Sequence, residues 1–77
     1  MLNFNLVMVP GGSGLAGGMN AVQIENGSTL AQFATKYDLS ARELCVDNEM
    51  ITRDRWSTYV LGPQTLEVFA TKSNKGN

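Results

Sequence analysis

The residues with the clearest chemical potential are the glycines of the segment at 11–18, which holds five Gly in eight positions. Successive backbone amides in such a segment can cradle an anion. A phosphate-binding loop needs a Lys-Ser/Thr ending that opens a helix, whereas this segment has no Lys and leads into another apolar alternation. The sequence therefore favours the mobile tip of a hairpin that becomes ordered on a protein partner, with Leu15 and Met19 as its apolar contacts.

A second candidate anion site is the pair Arg53 and Arg55, because a guanidinium can hold a phosphate or a carboxylate with two hydrogen bonds. A spacing of two residues does not place both side chains on one helix face. The carboxylates of Asp54 and Glu49 are close in sequence, so local charge compensation is favoured over a ligand site. Trp56 follows without further interleaving of basic and aromatic residues, which favours a plug that closes the core over a platform for stacking bases.

Histidine is absent from the 77 residues, and cysteine occurs once. Without His the chain lacks the commonest general base, the His-dependent nucleophile pairs and most zinc sites. Cys45 is flanked by apolar residues with no adjacent cation to activate it, which favours a structural thiol over a nucleophile. We therefore expect no enzymatic activity, no metal and no cofactor.

The charges of the chain nearly cancel, since six Lys+Arg stand against seven Asp+Glu, and no broad basic field is available for nucleic acid. The apolar stretch at 1–9 is interrupted by Asn3 and Asn5 and is far shorter than the about 20 residues of a membrane-spanning helix. A lone Cys fits a reducing compartment. We expect a soluble protein without nucleic acid or membrane as a partner, which is cytoplasmic or part of an intracellularly assembled complex and is not secreted.

Alternating apolar residues predict a first strand over residues 2–9. Its core-facing side chains are expected to be Leu2, Phe4, Leu6 and Met8. A second alternation at Val22 and Ile24 completes a hairpin around the Gly-rich tip. Ser28 is then predicted to cap a helix of about three turns. Its apolar face is expected to carry Leu30, Phe33, Ala34 and Tyr37.

The later elements are predicted to be short. Ser40 and Glu43 have the spacing of a capping box, which predicts a helical turn there. In chain order there follow a strand at 44–46, a polar turn at 47–49, a strand from Met50, one helical turn at 52–56, and a last strand whose Leu66, Val68 and Ala70 face the core.

This order of elements predicts one α+β domain in which a mixed four- to five-stranded sheet packs against one main helix. The first and last strands have the clearest patterns, so we expect them to be parallel neighbours at the centre of the sheet, joined by the long connection that parallel pairing needs. That arrangement is the β-grasp, or ubiquitin-like, fold. The predicted domain covers residues 1–72, with its hairpin tip at 10–19, and residues 73–77 are expected to form a flexible polar tail.

Four segments between residues 24 and 70 follow one another with the spacing of a known family. They are Gly27-Ser28-Thr29-Leu30 at the start of the helix, Val46-Asp47-Asn48-Glu49-Met50-Ile51 at a Val-Asn-Gly-Glu-type turn, Arg53-Asp54-Arg55-Trp56, and Leu61-Gly62 leading to Leu66-Glu67-Val68. On these segments the chain resembles the ubiquitin-like sulfur carrier proteins of thiamine biosynthesis, the ThiS family, and more distantly the small subunit of molybdopterin synthase. The resemblance implies the same β-grasp fold.

In that family the chemistry resides in a C-terminal Gly-Gly, which is adenylated and converted to a thiocarboxylate. This chain ends in Lys75-Gly76-Asn77, so Gly76 alone matches the motif. The resemblance implies, as an alternative function, a sulfur carrier that donates a thiocarboxylate from Gly76 after removal of Asn77, with an adenylating enzyme as its partner. A decoy that occupies this enzyme without reacting is a third alternative.

The sheet face away from the helix predicts a different function. Val7 and Val9 of the first strand and Phe69 of the last strand are expected to form an apolar cluster there. Such clusters are typical of partner surfaces, while Phe69 alone could simply shield the sheet backbone. The sequence favours a non-enzymatic interaction or assembly module, such as a small structural or decoration subunit of a larger complex or a homo-oligomer. Its expected protein-binding residues are Val7, Val9, Leu15, Met19 and Phe69.

Overall fold

The computed structural model describes residues 1–9, 17–65 and 67–72, which form a five-stranded sheet and one α-helix. The strands are β1 (Leu2–Val9), β2 (Gly18–Ile24), β3 (Arg42–Val46), β4 (Glu49–Ile51) and β5 (Glu67–Lys72). The helix α1 covers Leu30–Lys36, and a 3-10 turn covers Arg53–Arg55. The predicted α+β class is confirmed, with its mixed sheet, its one main helix and the single helical turn before Trp56.

The strands lie in the order β2-β1-β5-β3-β4, so β5 is the central strand. β1 and β5 are parallel, with Val7 opposite Phe69, and the other neighbouring pairs are antiparallel. Parallel neighbours cannot be joined by a tight turn, and here the connection between β1 and β5 contains β2, α1, β3 and β4. The expectation that the first and last strands are parallel neighbours at the centre of the sheet is confirmed.

The core lies between α1 and one face of the sheet. Along β1 the even-numbered side chains are buried and the others are exposed or half-buried, as the alternation predicts. Phe33 of α1 is fully buried, and its ring centre lies 5.2 Å from that of Phe4 and 5.1 Å from that of Tyr37. Burial of a side chain of this size contributes about 1.5–3 kcal/mol. This packing sustains α1, because seven residues are too few for a stable isolated helix.

The start of α1 differs from the prediction by one residue. Thr29, and not Ser28, is the N-cap. Its Oγ1 accepts from the backbone N–H of Gln32 at 3.2 Å, and the side-chain Oε1 of Gln32 accepts from the backbone N–H of Thr29 at 2.9 Å. Ser28 makes backbone hydrogen bonds instead. Its N–H closes the preceding turn by donating to Glu25 O at 3.2 Å, and its carbonyl accepts from Leu61 N of a later segment at 2.9 Å. The capping box satisfies donors that the first turn would leave without an intrahelical partner.

The predicted capping box of Ser40 and Glu43 is wrong. Arg42 already begins β3, and Glu43 lies opposite Thr71 in the ladder with β5. Ser40 lies in the turn before it, closed by the Arg42 amide, which donates to Leu39 O at 2.9 Å. Pairing with the central strand therefore decides the conformation of this segment, and the local motif does not.

The turn between β3 and β4 is shorter than predicted, because Glu49 already belongs to β4. Asp47 and Asn48 alone make the connection, with φ of 49° and 72°, while Val46 lies opposite Glu49. Positive φ at both central residues is the geometry of a type I′ hairpin, whose twist matches that of the strands it joins.

Parts of three predictions lie outside the described residues. The predicted hairpin tip at 10–19 includes residues 10–16, where Leu15 lies, and the predicted tail at 73–77 includes Gly76. Leu66 of the predicted last strand is outside them as well. The other end of the predicted tip is wrong, because β2 begins at Gly18 and pairs with β1. No helix in the described ranges is long and apolar enough to span a membrane.

Candidate functional site

An apolar row crosses all five strands on the sheet face opposite α1. Its members are direct cross-strand partners, in the order Met19, Val7, Phe69, Cys45 and Met50. These five residues are called the apolar row below. Phe69 lies at the centre of the row because β5 is the central strand.

Strand alternation directs these side chains outward. Val68 and Ala70 on either side of Phe69 are buried in the core, so Phe69 must point to the opposite face. Cys45 lies in the same way between buried Leu44 and Val46. Strands in a sheet are about 4.8 Å apart, so five positions span about 19 Å across the face.

The methionines at the two ends are the most exposed members of the apolar row. Met19 is 65% exposed and Met50 is 50% exposed, whereas Val7, Phe69 and Cys45 are half-buried between neighbours on both sides. Met side chains are flexible and polarizable, and they are over-used at surfaces that adapt to a partner. The row thus combines a well-packed centre with adaptable ends.

Of the predicted binding residues, Val7 and Phe69 lie side by side in the row. Val9 is 47% exposed and is the next outward residue of β1, so it extends the apolar surface on one side of the row. Met19 was expected in the hairpin tip, but it lies in β2 opposite Val7 and forms one end of the row.

Sequence reasoning missed Cys45 and Met50 as members of this surface. Cys45 lies opposite Phe69, and Met50 lies opposite Cys45. The inward pattern of Leu44 and Val46 already implied an outward Cys45, but its position beside Phe69 depends on the register of β3 against β5. Pairing between strands so far apart in sequence leaves no local signal.

Acidic side chains lie on both sides of the apolar row. Glu67 precedes Phe69 by two residues on β5, and Glu43 precedes Cys45 by two residues on the antiparallel β3. Because the two strands run in opposite directions, the two carboxylates flank the row on opposite sides. Among the described strand residues, Arg42 and Lys72 are the only cations, and their register places them with the core-facing side chains.

Arg53 and Trp56 have structural roles. The Arg53 guanidinium donates from Nη1 to Ser40 O and from Nη2 to Arg42 O, the latter at 3.0 Å. Its guanidinium therefore donates to backbone carbonyls, whereas the sequence suggested the carboxylates of Asp54 and Glu49 as its partners. Trp56 is buried, as expected of a core plug, and its Nε1 donates to Ile51 O at 3.0 Å.

An open depression of about 620 Å³ lies beside β2. Its polar lining residues are Asn3, Asn5, Gln23, Lys36 and Tyr37. Lys36 Nζ and Tyr37 Oη both donate to the backbone carbonyl of Gln23, at 2.9 and 3.1 Å. Tyr37 Oη also accepts from the backbone N–H of Gln23 at 3.2 Å. These groups cover backbone atoms at one end of an edge strand, which limits pairing with a further strand there.

Other kinds of site find little support in the described part of the chain. It holds no group of three or more Cys, Asp or Glu side chains that could bind a metal ion, and Cys45 is a free thiol. Comparison of the chain with protein-family models gave no match, and comparison with curated proteins gave none.

Proposed function

We propose that the protein is a non-enzymatic interaction or assembly module with a β-grasp fold, which binds a protein partner through the apolar row. The strand order β2-β1-β5-β3-β4, the parallel central pair and the helix across one face support the β-grasp assignment. The interaction role rests on one observation, the continuity of the apolar row across every strand of the outer face.

Shielding of the sheet backbone by Phe69 explains only the centre of the row. The two ends lie on the edge strands β2 and β4, where Met19 and Met50 remain largely exposed. Side chains that stay in water gain little from folding, since hydrophobic stabilisation scales with the apolar area removed from water. A partner that covers the row would bury this remaining surface, and a role as a small structural or decoration subunit of a larger assembly would use the face in that way.

The test is capture of the native partner by tagged wild-type chain and by two variants, Val7→Asp and Phe69→Asp. Each variant places a charge in the row, and we expect each to lose the partner that the wild type retains. Gln23→Asp is the matched control, because Gln23 is exposed on β2 outside the row. Sedimentation of the purified proteins adds the homo-oligomer as a readout. A monomeric wild type whose partners are unchanged in both row variants would refute the proposal.

The sulfur carrier remains the alternative proposal, and a specific experiment separates it. β5 is the central strand and ends at Lys72, a few residues before Gly76 in the sequence. The mass of the intact protein from its native host would show loss of Asn77 and conversion of the Gly76 carboxylate to a thiocarboxylate if it acts as a carrier. An unmodified Asn77 under those conditions would exclude this function and leave the interaction module.

A further inference from the structure

The charges beside the apolar row indicate the chemistry of the partner. We infer that the row binds an amphipathic helix of a second protein, in which Lys or Arg residues lie on both sides of an apolar stripe. This inference rests on the proposed function, because it names the class of partner that would occupy the same face.

The positions of the two acids support a helical partner. Glu67 lies on β5 two residues before Phe69 and opposite Asn5, while Glu43 lies on β3 opposite Thr71, which follows Phe69 by two residues. The two acids are therefore separated by four residues along the strand direction, which corresponds to about 13 Å. A helix with its side chains is about 10–12 Å in diameter, so its two basic flanks would reach one acid each.

The length and width of the row fit the same occupant. A span of about 19 Å corresponds to about 13 residues of helix at a rise of about 1.5 Å each. The row is one side chain wide, and a helix with apolar residues at i, i+3, i+4 and i+7 presents a stripe of comparable width. Flexible Met19 and Met50 at the ends can adapt to the side chains of such a stripe.

A second copy of this chain fits the face less well. If two copies stack their outer sheet faces about a two-fold axis parallel to β5, Glu67 of one copy lies against Glu67 of the other. If the two-fold axis instead runs along the apolar row, Glu43 of one copy lies against the end of β3 near Asp47 of the other copy.

A basic helix turns the same charges into favourable contacts. Lys or Arg beside an apolar stripe would face Glu67 and Glu43 without a like-charge penalty. Exposed ion pairs contribute about 0.2–1 kcal/mol each and are weakened by salt. The apolar row would therefore supply most of the affinity, and the two acids would select the sign of the partner's flanks.

The experiment titrates the full-length ¹⁵N-labelled protein with three synthetic peptides of about 14 residues. The first has Leu at helical i, i+3, i+4 and i+7 spacing with Lys on both flanks, the second has Glu in place of Lys, and the third is a scrambled form of the first. We expect the Lys peptide to shift the amide signals of Val7, Cys45 and Phe69. We expect it to bind about tenfold more tightly than the Glu peptide, and the scrambled peptide not to select these residues.

Two variants separate charge from apolar contact. The double variant Glu43→Gln and Glu67→Gln should weaken binding of the Lys peptide by up to about tenfold and reduce its preference over the Glu peptide. Phe69→Ser should remove binding of both peptides. Amide spectra of the free variants show whether the fold is kept.

The outcomes distinguish this inference from the proposed function. Equal binding of the Lys and Glu peptides, shifts that map away from the apolar row, or a homodimer formed through the row would overturn the basic-helix inference. If the native partner still depends on Val7 and Phe69 in that case, the proposed function stands without it. If neither peptide nor partner depends on the row, both fail.

Discussion

The guanidinium carbon of Arg53 lies 4.5 Å from the centre of the Trp56 ring. From this position the guanidinium also donates to the carbonyls of Ser40 and Arg42. Trp56 is itself held by its Nε1 hydrogen bond to Ile51 O at 3.0 Å. The pair thus fastens the turn before β3 to the segment after β4, two parts of the chain that are not joined there by strand pairing.

We predict that Arg53→Ala lowers the free energy of unfolding by about 1 kcal/mol, because an exposed cation–π contact and hydrogen bonds to carbonyls are lost together. Arg53→Lys should recover little of this, since an ammonium cannot reproduce the planar fork that reaches both carbonyls. Urea unfolding measures both values. Arg55→Ala is the matched control: Arg55 is exposed in the same turn, and its replacement should stay within about 0.5 kcal/mol. Equal losses for the two alanine variants would contradict the structural role of Arg53.

The N-cap of α1 gives a second prediction. Thr29→Ala removes the hydroxyl that accepts from the Gln32 amide and should cost about 1 kcal/mol of stability. Ser28→Ala should cost much less, because the hydrogen bonds of Ser28 in this structure come from its backbone. Thermal or urea unfolding of the two variants compares them directly. A larger loss of stability for Ser28→Ala than for Thr29→Ala would indicate that Ser28 is the N-cap, as the sequence suggested.

The turn between β3 and β4 gives a third prediction. Asn48 has φ of 72°, a region that an Ala side chain adopts at a cost of about 1–2 kcal/mol and that Gly adopts freely. We expect Asn48→Ala to lower the free energy of unfolding by about 1 kcal/mol and Asn48→Gly to preserve or raise it. Unfolding in urea tests both. Variants that rank in the opposite order would show that this turn does not have the type I′ geometry.

The pattern along β1 allowed its core face to be predicted, because alternation is a property of the strand itself. Ends of elements were harder. Thr29 and Gln32 have the three-residue spacing of a capping box, but the neighbouring hydroxyl of Ser28 offered a competing cap. Ser40 and Glu43 have the same spacing without forming a box, because Glu43 is held in the ladder beside Thr71. A local motif states a preference that sheet pairing overrides.

The candidate site was predictable only in part for a related reason. Val7 and Phe69 could be placed together because the first and last strands were expected to be parallel neighbours. Cys45 and Met50 complete the surface through β3 and β4, and their register against the centre of the sheet is a long-range property. Met19 joined the surface only because β2 extends to Gly18, further than its alternation suggested. Residues within one strand were therefore predicted better than the row that crosses the strands.

Phe69 gives the last prediction, because its two roles differ in what they change. If Phe69 contacts a partner, Phe69→Ser should cost little stability, about 1 kcal/mol for a half-buried ring, while partner binding is lost. If it shields the sheet backbone, the same variant should speed hydrogen exchange of the neighbouring β1 and β3 amides and leave binding unchanged. Unfolding, amide exchange and partner capture on the same protein separate the two. Gln23→Ser serves as the control, since Gln23 is exposed on β2 and lies outside the row. Faster exchange in Phe69→Ser with full retention of the partner would assign this side chain to the sheet and remove the centre of the proposed binding surface.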